Sequence, residues 1–210
     1  TEDAPNGSGG QKIAVDDALG RLVTVVEVGR GMDETTGYTN YEYDANGNLH
    51  QVTNADGDIT TFVHDWRGLR TEVTRGDRTW SYDYDRNGNL LAQTKPHESW
   101  QSDSEFTTTY TYDPLDRVIM EYPATLGLSV SERDRLDMGP VFYAYDTAKN
   151  GVGRLAGAAT VRDATIGFLN FATLTAYHYN ARGLVSMEGR YFFQDELLTH
   201  PAQASHSVVR

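Results

Sequence analysis

The stretch YEYDANGNL, from Tyr41 to Leu49, carries two local signals of β structure. Tyr41 and Tyr43 alternate with polar residues, as side chains on one face of a strand do. The four residues that begin at Asp44 then place Asp first and Gly fourth, the order that a type I turn prefers. An apolar residue follows the turn and can return along the first strand. The stretch therefore predicts a β-hairpin.

The same arrangement recurs along most of the chain. Aligned on the Asp or Asn that opens the turn, it is found seven times, in steps of 27, 21, 20, 28, 33 and 34 residues. The other six copies are VDDALGRL from Val15, FVHDWRGL from Phe62, YDYDRNGNL from Tyr82, YTYDPLDRV from Tyr110, YAYDTAKNGVGRL from Tyr143 and YHYNARGL from Tyr177. A step of about 20 residues accommodates a strand, a turn, a second strand and a short link. We therefore expect an all-β chain of consecutive antiparallel β-hairpins.

The turn residues are predicted by chemistry as well as by position. Glycine adopts a left-handed backbone without steric cost, and Asp tolerates it. In the fifth copy, Pro114 takes the second turn position, whose φ it fixes, and Asp116 replaces the glycine. The sixth copy has four extra residues before its glycine. The predicted structural turn residues are Asp17, Gly20, Asp44, Gly47, Asp65, Gly68, Asp85, Gly88, Asp113, Pro114, Asp146, Gly153, Asn180 and Gly183.

Paired tyrosines precede the turn in five copies. Because their spacing places both rings of a pair on one face, we expect rings of successive hairpins to stack across strands as an aromatic ladder. Its members are Tyr41, Tyr43, Tyr82, Tyr84, Tyr110, Tyr112, Tyr143, Tyr145, Tyr177 and Tyr179.

Composition excludes several classes of protein. The 210 residues include no cysteine, which rules out disulfides, thiolate zinc sites and a cysteine nucleophile. The hydrophobic fraction of 39% is too high for a disordered chain, and no stretch approaches the ~20 apolar residues that span a bilayer. A net charge of −12 works against nucleic acid or an anionic membrane as a partner. We expect neither nucleic-acid binding nor membrane insertion.

No motif singles out a catalytic or metal site. The acidic turns DANGN, NADGD and DRNGN offer oxygen ligands, but helix-loop-helix calcium loops need Gly sixth and Glu twelfth, whereas Gly is fourth here. The six histidines show no paired spacing. We predict no catalytic residue, no metal and no cofactor. An acidic hydrolase stays open as an alternative, because folding could bring two carboxylates together across a cleft.

These repeats resemble the tyrosine-aspartate (YD) repeats of bacterial RHS proteins, Tc-toxin B and C components and animal teneurins. YEYDANGNLHQVTNADGDIT and YDYDRNGNLLAQT are the most similar stretches. The resemblance implies a twisted, spiralling ribbon of hairpins that forms part of a hollow shell, often around a toxin domain, or of a cell-surface adhesion protein. Nothing after Arg190 resembles the self-cleaving segment that closes such shells, so no cleavage residues are carried over.

The resemblance also implies an organisation and a set of partners. We expect a flexible N-terminal segment over residues 1–14, a ribbon of about seven units over 15–190, and a C-terminal extension or tail over 191–210. The implied partners are other YD segments of the same or a neighbouring chain and an enclosed toxin domain. The implied location is secreted or on the surface of a bacterial cell, although no signal segment is visible.

The alternative to an architectural role is a carbohydrate- or protein-binding adhesion module that uses the aromatic face of the same sheet. Its candidate ligand-binding residues are Trp66, Trp80 and Trp100, because exposed aromatic rings can provide a platform for a glycan.

Overall fold

The computed structural model describes residues 11–29, 36–129, 139–161, 171–192 and 205–208, together with Arg133. These residues form fifteen strands and one short helix, α1 (Asp103–Phe106). The strands are β1 (Gln11–Asp16), β2 (Leu22–Val28), β3 (Thr36–Tyr43), β4 (Leu49–Thr53), β5 (Ile59–His64), β6 (Arg70–Arg75), β7 (Arg78–Tyr84), β8 (Leu90–Thr94), β9 (Thr107–Tyr112), β10 (Val118–Tyr122), β11 (Val141–Tyr145), β12 (Leu155–Val161), β13 (Phe171–Tyr179), β14 (Val185–Phe192) and β15 (Ser205–Val208).

The strand order in the sheet follows the sequence order from β1 to β15. Each strand is hydrogen-bonded to the next, and the recorded pairings are antiparallel. The prediction of an all-β chain of consecutive antiparallel hairpins is thereby confirmed. The seven predicted hairpins are β1–β2, β3–β4, β5–β6, β7–β8, β9–β10, β11–β12 and β13–β14.

The hairpins share an irregularity beside the turn. In β3–β4 the register shifts between Glu42 and Tyr43, so that Tyr43 lies opposite Leu49. Equivalent shifts occur next to the turn in β1–β2, β5–β6, β9–β10, β11–β12 and β13–β14. An extra residue in one strand of an antiparallel pair is a β-bulge, which increases the local twist. The bulge also brings the last tyrosine before the turn opposite the apolar residue that follows it.

The contacts divide the chain into two compact units, Thr1–Tyr82 and Asp83–Arg210, with the boundary inside β7. In the first unit, none of the residues described between 11 and 29 and between 36 and 82 is fully buried. In the second unit, the buried side chains of the described residues are Ala124, Ala159, Val161, Tyr179 and Thr108. A sheet normally buries one face against another layer. The described part of the first unit has no such core.

The first and last strands lie in the segments predicted to flank the ribbon, at least in part. β1 begins at Gln11, inside the predicted N-terminal segment, and pairs with β2 through Ile13 opposite Val26 and an ion pair between Lys12 and Glu27. β15 lies inside the predicted tail and pairs with β14. The strand at Gln11 follows from its cross-strand partners, which the repeat motif does not include.

The only helix with bounds in the described part of the chain is α1, in the connection between β8 and β9. No helix among the described residues has the length and apolar character needed to cross a membrane.

Candidate functional site

The side chain of the first turn residue closes each hairpin. In β3–β4, Asp44 Oδ1 accepts hydrogen bonds from the backbone N–H groups of Asn46 (2.9 Å) and Asn48 (2.8 Å). The Asp44 N–H donates to the Asn48 carbonyl, and the Gly47 N–H donates to the Asp44 carbonyl. The Oδ1 atom likewise accepts two backbone hydrogen bonds at Asp17, Asp65, Asp85, Asp113 and Asn180. An Asp or Asn at this position therefore satisfies two donors that an apolar side chain would leave unpaired.

The fourth turn residue is left-handed. Gly47 has a φ of 89°, and Asp116 adopts the same region at 59° in the fifth hairpin. The equivalent glycines Gly20, Gly68, Gly88 and Gly183 also have positive φ. The positive φ explains why glycine recurs at the fourth turn position, because a residue with a Cβ atom is strained in the left-handed region.

The sixth turn, between β11 and β12, is longer but is closed by similar hydrogen bonds. Asp146 itself is left-handed, with a φ of 67°, and its N–H donates to the Arg154 carbonyl. Its Oδ1 accepts from the Gly153 N–H at 2.6 Å. A smaller turn from Ala148 to Gly151 takes up the extra residues.

The second carboxylate oxygen binds a side chain, usually the one four residues later. Asp113 Oδ2 accepts from Arg117 Nε at 2.7 Å, and Asp44 Oδ2 accepts from Asn48 Nδ2 at 3.1 Å. These side-chain hydrogen bonds are the largest causes that lower the pKa of Asp113 and of Asp44. The pKa is also lowered at Asp17, Asp65, Asp85 and Asp146. The turn carboxylates are therefore stabilised in their ionised form.

The second tyrosine of the motif joins one hairpin to the one before it. The Tyr43 hydroxyl donates to the carbonyl of Leu22, the first residue of β2, at 2.9 Å. The corresponding hydroxyls of Tyr112, Tyr145 and Tyr179 donate to the carbonyls of Leu90, Val118 and Leu155, which are the first residues of β8, β10 and β12. We call this contact, a tyrosine hydroxyl on the first carbonyl of the preceding return strand, the tyrosine clasp.

Arginines of the preceding turn cover three of the clasp tyrosines. The guanidinium carbons of Arg21, Arg117 and Arg154 lie 4.6, 4.4 and 5.3 Å from the ring centroids of Tyr43, Tyr145 and Tyr179, respectively. A guanidinium at this distance from an aromatic face is attracted by the ring quadrupole.

The expected direct stacking of tyrosines is replaced by these clasps. In the register, Tyr41 lies opposite Val52 and Tyr43 lies opposite Leu49, so a return strand separates the tyrosines of one hairpin from those of the next. Two strand spacings amount to about 10 Å, which exceeds the usual ring-to-ring distance. The tyrosines of the predicted ladder are half-buried, except Tyr179, which is buried.

Neighbouring turns also contact each other directly. Asn87 and Asn89 donate to Asp116 Oδ1 of the next turn at 2.9 and 2.7 Å. Arg117 in turn makes a bidentate contact with Asp146 of the turn after that, with distances of 3.2 and 2.8 Å. We call the end of each hairpin that carries the Asp- or Asn-led turn the turn end.

A further turn of the same type lies outside the seven aligned copies, in the acidic stretch NADGD. Asn54 Oδ1 accepts from the N–H groups of Asp56 and Asp58, and Gly57 has a φ of 84°. This turn connects β4 to β5, so it lies at the opposite end of the strands from the turn end. The signal was present in NADGD, which has the same Asn-first, Gly-fourth order without preceding tyrosines.

The three candidate tryptophans lie in different environments. Trp66 is 90% exposed in the turn between β5 and β6, and Trp100 is 80% exposed in the connection between β8 and β9. Trp80, in β7, is half-buried and lines a cleft of about 880 Å³. The cleft also includes the side chains Asp58, Arg75, Asp77 and Arg78.

The cleft does not have the features of an acid-base site. Asp58 and Asp77 are both exposed, and Asp58 Oδ2 accepts from Arg75 at 3.5 Å. A general acid needs a desolvated carboxyl group, which these positions do not provide. Within the part of the chain that the structure describes, no three His, Asp or Glu side chains are grouped so as to hold a metal ion.

The comparisons with known proteins agree with this geometry. The RHS Repeat family profile matches residues 43–79. The chain carries an RHS repeat over these residues, which confirms the predicted resemblance to the YD/RHS repeats. No curated protein matches the chain.

Two solved structures share the fold. The structure titled "Crystal Structure of TcdB2-TccC3 without hypervariable C-terminal region" is 18% identical over 86% of this chain, with a TM-score of 0.61. The structure titled "Crystal Structure of TcdB2-TccC3-Cdc42" is 15% identical over 89% of this chain, with a TM-score of 0.52. This chain spans 9% and 12% of the length of those chains. At these identities the likeness establishes the fold.

Substitution of Gly47 by Val tests the turn geometry. We expect a loss of about 1–2 kcal/mol in the free energy of unfolding, because a β-branched residue is strained at positive φ. The matched variant Ala45→Pro, at the position that Pro114 occupies in the fifth turn, should be tolerated. Denaturant unfolding measures both variants. Equal and negligible effects would contradict the assigned turn.

Substitution of Tyr112 by Phe tests the tyrosine clasp. The ring stays and only the hydrogen bond to the Leu90 carbonyl is lost, so we expect about 1 kcal/mol of destabilisation in denaturant unfolding. The control is Tyr122→Phe, since Tyr122 is 44% exposed and lies on the opposite face of the sheet. The clasp is not a stabilising contact if the two variants unfold at the same denaturant concentration.

The lowered pKa values of the turn carboxylates predict sensitivity to acid. A group whose pKa is lower in the folded state contributes stability that is fully present above the pKa of the unfolded chain. This stability disappears as the pH falls through the lower folded value, so the midpoint of denaturant unfolding should decrease below about pH 4.

A variant with neutral turns provides the control for this pH dependence. In Asp44→Asn with Asp85→Asn, the side-chain oxygen can still accept two N–H groups, as Asn180 does. We expect a flatter pH profile than in the unsubstituted chain. Identical profiles would show that other groups cause the acid sensitivity.

Proposed function

We propose that this chain is a non-enzymatic structural segment of an RHS/YD-type shell or extracellular filament, which encloses or displays another domain. The observation that carries the proposal is the succession of hairpins with tyrosine clasps, one in the first unit and three in the second. In the first unit, moreover, no described residue is fully buried. Such a sheet obtains its stability from contacts between neighbours rather than from a closed core.

The half-buried tyrosine face supports a role in assembly. A half-buried aromatic face gains free energy when another surface covers it, at roughly 25 cal/mol for each Å² of apolar area removed from water. In the first unit, the described residues do not complete this burial. We infer that other RHS segments, of this chain's parent protein or of a neighbouring chain, and an enclosed toxin domain are the partners. A secreted or cell-surface location follows from the same proposal.

The outer edge of β1 is the second supporting feature. Within the described residues β1 pairs only with β2, which leaves one row of its backbone groups available. Open strand edges pair readily with a further strand. The sheet can therefore be extended by another segment at this edge.

The adhesion or glycan-binding alternative has less support. Its favourable observation is the cleft that Trp80 lines. Trp66 and Trp100 lie in a turn and in a connection, outside this cleft, so they add nothing to a platform there.

Strand addition at β1 tests the architectural proposal. We expect the chain to self-associate as its concentration rises, and the double variant Ile13→Lys with Val15→Lys to remain monomeric, because charged side chains block an edge strand. Sedimentation velocity measures the association. The matched control is Leu19→Lys, in the first turn, which should associate as the unsubstituted chain does.

Hydrogen exchange of the β1 amide groups provides the second measurement. We expect protection of the outward-facing amides to increase together with association. A chain that stays monomeric with these amides already protected would contradict the proposal, since its edge would be covered from within.

A further inference from the structure

An acidic side chain interrupts the tyrosine face of the second unit. Glu121, in β10, lies directly opposite Tyr110 of β9 and opposite Val141 of β11. Tyr143 follows Val141 by two residues, so it lies on the same face and diagonal to Glu121. Glu121, Tyr110 and Tyr143 are all half-buried. We call these three residues the Glu121 site.

The contacts within the site place a carboxylate next to two phenol groups. The Tyr143 hydroxyl donates to Glu121 Oε2 at 3.5 Å, the outer limit of a hydrogen bond. Burial is the largest cause that raises the pKa of Tyr110 and of Tyr143, and the charge of Glu121 is the second. Both phenols are therefore held in the neutral form.

The tyrosines of the Glu121 site differ from several others on the aromatic face in their contacts with arginine. The rings of Tyr43, Tyr145 and Tyr179 are each covered by an arginine of the preceding turn. Among the described residues, no recorded ion pair involves Glu121, and no recorded cation–π contact involves Tyr110 or Tyr143. Within the described residues, the site thus presents a carboxylate and two aromatic rings without the arginine contact that Tyr43, Tyr145 and Tyr179 make.

We propose that the Glu121 site binds a lysine side chain of a polypeptide that lies on the tyrosine face. A carboxylate supplies the opposite charge, and tyrosine rings attract an ammonium group through their faces. Partial burial strengthens both interactions relative to an exposed ion pair. The net charge of −12 favours a cationic partner as well. The proposal does not depend on whether the chain is a shell segment.

Titration of the full chain with Nα-acetyl-lysine N-methylamide tests the proposal. Nuclear magnetic resonance of the tyrosine rings should show saturable shifts at Tyr110 and Tyr143. The norleucine analogue, which has the same aliphatic chain without the ammonium group, should cause none. Glu121→Gln should weaken lysine binding about threefold to tenfold, as expected for loss of a partly buried charge pair.

Three further variants distinguish the possible outcomes. Glu42→Gln removes a carboxylate that follows Tyr41 in sequence but lies on the other face of the sheet, and it should leave lysine binding unchanged. Tyr143→Phe should retain binding because the aromatic face remains, whereas Tyr143→Leu should weaken it in a chain whose folding is checked by thermal unfolding. Equal binding of the norleucine analogue, or equal losses in Glu42→Gln and Glu121→Gln, would overturn the proposal.

Discussion

The fold depends on a side-chain carboxylate or amide that accepts two backbone N–H groups at six of the seven hairpin turns. At Asp44, the two donors belong to residues two and four positions later, so their acceptance fixes the whole turn. The left-handed fourth residue, Gly47, allows the chain to reverse with the bulge that precedes the return strand. The register of each hairpin is thereby fixed by interactions within its own turn.

The register also places residues of one hairpin in contact with residues of the next. Arg117 shows the connection most fully: it pairs with Asp113 of its own turn, contacts Asp146 of the following turn and covers the ring of Tyr145. The hydroxyl of the same tyrosine reaches the carbonyl of Val118, the residue after Arg117. Each turn positions groups that bind the next hairpin. Contacts between neighbouring hairpins can therefore stabilise the sheet without a large buried core.

Sequence alone predicted the hairpins, their order and the turn within each hairpin, because these features depend on residues a few positions apart. The clasp of Tyr112 on Leu90 was not predictable, since it joins residues 22 positions apart and requires the bulged register. The expected stacking of tyrosines failed for the same reason: periodicity assigns a face but does not show that a return strand lies between the rings. The NADGD turn at Asn54 was not placed among the repeat turns, because it lacks the tyrosines that defined the motif.

The same contacts explain why variation is concentrated at one end of the strands. The turn end is held by acceptor oxygens and clasps that require particular residues at fixed spacing, so insertions there are costly. The sixth turn contains an insertion, and there Asp146 adopts a left-handed conformation and the extra residues form a smaller turn. At the other end, the connections need only return the chain to the next strand. There the chain uses a tight turn at Gly76, the Asn54 turn and the segment that contains α1. Because these connections make none of the turn-end contacts that set the register, their length can change while the sheet is preserved.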